Sequence, residues 1–201
     1  MRPIDYFDAA VIGRDTVPAV KDTSAVLSYG ELKRRSTHIA STLLALCRAP
    51  KRPRPIAIVA SNSCDYISCM LGAMRAGIPL VPLHSGTSPE DCVALLKQAA
   101  PACVVYDATT EHAVALARTQ LSGMFWMTLE SLGSEPSSDH LRSRSSVHVQ
   151  DWGGVTCDPR RTVYLRFTSG TSGKPKLVVD DIATFNATYR VLRWVLMSQV
   201  P

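Results

Sequence analysis

The chain has 201 residues, 46% hydrophobic and 19% charged, enough apolar content to bury a core and too much for a disordered chain. An aliphatic, alanine-rich make-up with only 6% aromatic residues excludes collagen-like, coiled-coil and disulfide-knot architectures and favours alternating helices and strands over a β-sandwich. The net charge of +5 is uneven, since residues 1–54 carry ten Lys/Arg against five Asp/Glu and the remainder twelve against twelve.

At the N-terminus, Asp5 and Asp8 stand where a signal peptide needs an apolar run, and every longer apolar stretch is cut by a charge or a proline, as Arg193 cuts the last. A cytoplasmic protein with no membrane segment is expected. Ser28-Tyr-Gly-Glu31 has capping-box spacing, and Leu32, Ile39, Leu43 and Leu46 recur at helical intervals, predicting a first amphipathic helix to about Cys47. Arg48-Ala-Pro-Lys-Arg-Pro-Arg54 holds much of the N-terminal basic excess. Its prolines make it an extended connector, and no aromatic residue interleaves to stack on bases. It reads as a solvated linker, and no nucleic-acid partner is expected.

Ile56-Ala-Ile-Val-Ala60 is apolar without alternation, as in a strand covered on both faces. Ser61-Asn-Ser63 can cap a helix through Arg75, closed by Gly77. Ile78-Pro-Leu-Val-Pro-Leu83 is extended and, with two prolines, expected at a sheet edge or terminus. Ser88-Pro-Glu-Asp91 starts a helix that ends before Pro101. Ala102–Tyr106 is the next buried strand, Glu111–Leu121 a helix and Phe125–Thr128 a strand. Residues 131–161 show no sustained periodicity, which suits a surface excursion or a subdomain boundary within one domain of 1–201.

Six cysteines include no Cys-x-x-Cys pair and no histidine at ligand spacing, so buried thiols are expected and a metal site is not. His38 and His112 fall in predicted helices, and His84 begins a turn-like His-Ser-Gly-Thr-Ser88. No histidine or aspartate is placed beside a nucleophilic serine. The alternation of helices and strands implies an α/β, doubly wound, largely parallel sheet flanked by helices, with ligands beyond the carboxyl ends of its strands.

Thr162-Val-Tyr-Leu-Arg-Phe167 reads as a strand that enters Thr168-Ser-Gly-Thr-Ser-Gly-Lys-Pro-Lys176 and continues into Leu177-Val-Val179. Two glycines, four hydroxyls and two lysines in nine residues can surround phosphate oxygens with N–H, O–H and ammonium donors. It is not a Walker A loop: only two residues separate Gly170 from Gly173, and Pro175 disfavours a helix at Lys174. A strand, a turn and a strand are predicted, and Asp181 can cap a helix from Ile182 to about Met197.

Thr168–Lys176 resembles the phosphate-binding signature of the adenylate-forming (AMP-binding) superfamily of acyl-CoA synthetases, luciferases and nonribosomal peptide synthetase adenylation domains. Leu27-Ser-Tyr-Gly-Glu-Leu32 resembles its first core motif and Leu71-Gly-Ala-Met-Arg-Ala-Gly-Ile-Pro-Leu-Val-Pro-Leu83 its second. The resemblance implies an incomplete version of the family's large N-terminal domain, in which Thr168, Ser169, Gly170, Thr171, Ser172 and Gly173 cradle the β- and γ-phosphates of ATP and Lys176 adds charge. It also implies Mg2+ with the nucleotide, and a carboxylate that attacks the α-phosphate to give an acyl-adenylate and pyrophosphate, in a setting such as secondary metabolism. Leu177 stands where the family usually has glycine and Ile182 where histidine is frequent. The later family segments for adenine, ribose, acyl group and magnesium are not found in the 201 residues.

Two readings follow. The chain is the phosphate-binding portion of a carboxylate-activating ligase, inactive alone and taking a carboxylic acid only when complemented. Alternatively it is a non-catalytic remnant or interaction protein, with self-association through an uncovered sheet edge.

Overall fold

The computed structural model describes residues 1–46, 54–133, 162–168 and 175–198. In chain order these form α1 (Pro3–Val11), β1 (Pro18–Lys21), β2 (Val26–Ser28), α2 (Tyr29–Leu46), β3 (Ile56–Val59), α3 (Cys64–Ala76), β4 (Leu80–Leu83), α4 (Pro89–Ala99), β5 (Cys103–Tyr106), α5 (Glu111–Gln120), β6 (Phe125–Thr128), α6 (Leu129–Gly133), β7 (Thr162–Thr168), β8 (Lys176–Asp181) and α7 (Ile182–Ser198). A six-stranded sheet runs β6-β5-β3-β4-β7-β8. Its first five strands are parallel and β8 pairs antiparallel with β7, so the largely parallel α/β sheet read from the sequence is the one formed.

The capping chemistry sets the helices. Ser28 N–H donates to Glu31 Oε2 at 2.8 Å while Ser28 Oγ accepts from Glu31 N–H at 3.3 Å, the reciprocal box that starts α2. Ser63 and Ser88 accept from the N–H groups of Tyr66 and Asp91 to open α3 and α4. Gly77, at φ 69°, ends α3 in the left-handed conformation a side chain would resist.

All four residues of β3 and all four of β5 are buried. One face of these strands packs Ala57, Val59, Val104 and Tyr106 under α4 and α5; the other packs Ile56, Ile58, Cys103 and Val105 under α2, α3 and α6. At the α2–α3 crossing, a Cβ on Gly72 would lie 2.4 Å from Ile39 Cγ2, so the glycine sets the distance between the helices. Cys64, Cys69, Cys92 and Cys103 are buried thiols; burial pushes Cys69 up to about 12 and Cys92 up to about 11.

The structure adds α1, the β1–β2 hairpin and α6 to the expected elements. Asp22 organises the hairpin: Oδ1 accepts from the N–H groups of Ser24 and Ala25, both at 2.7 Å, and Oδ2 from Cys64 N–H at 2.7 Å. These three bonds to the charged form hold its carboxyl down at about 2.

Two expectations are corrected. β4 lies inside the sheet between β3 and β7, not at an edge. Its pairing with β7 is confined to Leu80↔Tyr164, so Pro82, which has no N–H to give, falls beyond the bonded stretch on that side. Arg54 is not a solvated linker charge: its guanidinium donates to the carbonyls of Ala100, Pro101 and Gly123 at 2.9, 2.7 and 3.1 Å. The rest of the basic connector (48–53) and residues 134–161 of the suggested boundary lie outside the described residues.

Candidate phosphate site at the β7–β8 hairpin

β7 threads a covered interior and an exposed end. Val163 and Leu165 are buried, Arg166 and Thr168 are exposed, and Leu165, Phe167 and Leu177 pack on the α4–α5 side of the sheet. Tyr164, Arg166 and Thr168 therefore share the opposite face, by the two-residue period of a strand. Tyr164 stacks on Phe185 of α7 with ring centroids 6.3 Å apart, and burial pushes its phenol upward.

The register Thr168↔Lys176, Arg166↔Val178 and Tyr164↔Asp180 puts Lys176, Val178 and Asp180 on that same face of β8. Thr168 Oγ1 donates to Lys176 carbonyl at 3.4 Å, closing the hairpin where the loop begins. Both Thr168 and Lys176 are exposed. Because β7 is parallel to β4, this end lies at the carboxyl ends of the parallel strands. Asp181 Oδ1 accepts from Thr184 N–H at 2.8 Å and caps α7 as expected.

Of the sequence-derived site residues, Thr168 and Lys176 are brought together as an opposed pair; Ser169, Gly170, Thr171, Ser172 and Gly173 lie outside the described residues. His84 Nδ1 accepts from Gly86 N–H at 2.9 Å in the turn after β4, and His112 is exposed in the first turn of α5. Sequence reasoning passed over Arg166, whose Nε donates to Asp180 Oδ2 across the hairpin. Its signal was a single charge inside Val163-Tyr-Leu-Arg-Phe167, matched by an acid in the next strand.

Among the described residues no group of three or more His, Cys, Asp or Glu is placed to hold a metal ion. A hydroxyl and an ammonium group at the hairpin end suit phosphate oxygens, not a divalent cation. No helix among the described residues is long and apolar enough to cross a membrane.

The family model described as AMP-binding enzyme matches residues 7–199. This chain belongs to the AMP-binding enzyme family. The nonribosomal peptide synthetase PenN of Penicillium thymicola is 32% identical to it over 183 residues, 89% of this chain and 6% of PenN. The long-chain-fatty-acid–CoA ligase FadD13 of Mycobacterium tuberculosis is 26% identical over 157 residues, 78% of this chain and 30% of the ligase. In fold, the N-terminal domain of FACL13 from the same organism superposes with a TM-score of 0.69 at 21% identity, covering 90% of this chain and 44% of that one. This member of the AMP-binding family thus has the α/β fold of an adenylate-forming N-terminal domain and spans less than half of each of these three chains.

Proposed function

We propose that this chain supplies the phosphate-holding part of an enzyme that activates a carboxylic acid with ATP. In this reading Thr168, Ser169, Gly170, Thr171, Ser172 and Gly173 surround the β- and γ-phosphates and Lys176 neutralises part of their charge. As the carboxylate attacks the α-phosphate, donors fixed by the hairpin stabilise the charge developing on the departing pyrophosphate. Mg2+ carried by the nucleotide would supply further neutralisation of the phosphates. The carrying observation is the exposed Thr168–Lys176 pair closing a hairpin at the carboxyl ends of a parallel sheet, with Ser-Gly-Thr-Ser-Gly-Lys-Pro between them. Buried thiols at Cys64, Cys69, Cys92 and Cys103 favour a reducing compartment, the cytoplasm.

Binding of pyrophosphate by the wild type and its loss in Lys176→Ala test the phosphate role. The alternative, a non-catalytic interaction protein, requires no such binding. Carboxylate-dependent exchange of labelled pyrophosphate into ATP, tried over a broad acid panel, is expected at background for the 201-residue chain, because positioning by the rest of such a domain supplies much of the acceleration. Exchange above background that Lys176→Ala abolishes would place the whole reaction within these residues.

The exposed side chains of Val178 (40%) and Val179 (44%) on edge strand β8 also favour self-association along that edge. Sedimentation velocity should then show a concentration-dependent dimer that Val179→Lys removes; a monomer at all concentrations would refute it.

A further inference from the structure

Arg166 sits two residues before Thr168 on the same face of β7, diagonal to Lys176 on β8. Such diagonal neighbours in an antiparallel pair stand roughly 7–8 Å apart, within reach of long side chains. A strand whose other residues are apolar or hydroxylated has no packing use for a guanidinium, and this one is 61% exposed. Its Nε donates to Asp180, whose side chain is only 11% exposed and which lies one diagonal step further from the loop.

This arrangement orients the guanidinium. The mostly buried carboxylate anchors one edge of the plane, while the terminal nitrogens make no hydrogen bond among the described residues. A guanidinium held by Nε keeps its two NH2 groups as a planar pair of donors, the geometry that matches two oxygens of one phosphoryl group. Lys176 and Arg166 carry two positive charges against one negative on Asp180, so this face of the hairpin is net positive. Two cations at diagonal positions repel unless an anion lies between them.

We propose that Arg166 is a second phosphate-recognition residue of the hairpin, anchored by Asp180 and acting with Thr168 and Lys176 to prefer a diphosphate group over a single phosphate. The proposal rests on the phosphate reading of Thr168–Lys176. A single phosphate satisfies either the ammonium or the guanidinium, whereas a diphosphate offers an anionic group to each. Asp180 is here a positioning residue: it fixes the guanidinium and itself touches no ligand.

The test is titration of pyrophosphate and orthophosphate into the full 201-residue chain, followed by NMR of backbone amides and arginine Nε–Hε groups. The wild type should bind pyrophosphate more tightly than orthophosphate, with the Arg166 Nε–Hε resonance shifting on pyrophosphate addition. Arg166→Gln should weaken pyrophosphate binding about five- to tenfold, as expected for losing charge-assisted hydrogen bonds at an exposed site, and should remove most of the preference. Arg166→Gln leaves a mostly buried carboxylate unpaired, so the doubly neutral Arg166→Gln/Asp180→Asn variant is measured beside it and should show the same loss with wild-type unfolding. Arg166→Lys, keeping the charge without the fork, should recover only part of the affinity.

Unchanged pyrophosphate affinity in both Gln variants, with binding still lost in Lys176→Ala, would overturn the role of Arg166 and leave the phosphate reading intact. No pyrophosphate binding by the wild type would overturn both.

Discussion

Every residue of β3 and β5 is buried, whereas in β8, three places from β3 and four from β5 in the same sheet, the only buried residue is an aspartate. The centre is held by apolar burial on both faces, each closed by its own layer of helices. In the β7–β8 hairpin, β7 buries Val163 and Leu165, while β8 is held to it by backbone pairing along six registered positions and by the Arg166–Asp180 ion pair. The difference separates two tasks. A core strand spends its side chains on packing, while an edge hairpin on a rigid sheet leaves the side chains at its loop end to meet a ligand.

The largest effect should come from breaking the centre. Ile58 is fully buried between β3's neighbours, and Ile58→Ala should lower stability by about 2–5 kcal/mol in denaturant unfolding through lost burial and a cavity. Val178→Ala on β8 should change it by less than about 0.5 kcal/mol. Equal effects at the two sites would erase the contrast. Next in size is Gly72→Ala, whose new Cβ meets Ile39 Cγ2 at 2.4 Å; overpacking the α2–α3 crossing should cost about 1–3 kcal/mol, read as a lower denaturant midpoint at unchanged slope.

A smaller effect is pH-dependent. Asp22, held down at about 2 by three backbone donors, stabilises the fold when ionised. Its contribution is complete above the usual aspartate value of about 4 and is lost as pH falls toward about 2. Replacing Asp22→Asn should flatten that part of the acid limb and leave the β7–β8 hairpin amides unshifted. An acid limb identical to wild type would show that the Asp22 staple contributes nothing. The smallest stability change, within about 0.5 kcal/mol, is expected for Lys176→Ala, which removes an exposed ammonium group. A large loss there would mean that the lysine holds the hairpin together and is not available to a ligand.

Periodicity and caps made much of this fold legible. Ser28–Glu31, Ser63, Ser88, Gly77 and Asp181 all mark the helix ends they were expected to mark, because capping is local chemistry. α1, the β1–β2 hairpin and α6 were missed: the strands are three and four residues long and the helices five and nine, too short for a hydrophobic period to show. Asp22-Thr-Ser-Ala25 did carry an Asx-turn signal, though its third partner, Cys64 N–H, lies forty-two residues away. Pro82 pointed to an edge because a proline cannot donate, yet a strand can be interior and still run unpaired beside one neighbour. Arg54 and Arg166 read as ordinary charges because their carbonyl and carboxylate partners become neighbours only after folding.

On the proposed reading the Thr168–Lys176 hairpin holds phosphate. This is tested most directly by titrating ATP, GTP and inorganic pyrophosphate into the wild type and Lys176→Ala at low and high salt, by calorimetry or NMR. Dissociation constants of about 0.1–10 mM are expected, with little discrimination among the three ligands, weakening as salt screens the exposed charges, and loss of binding in Lys176→Ala. Tight, adenine-selective binding, or no pyrophosphate binding by the wild type, would contradict this reading.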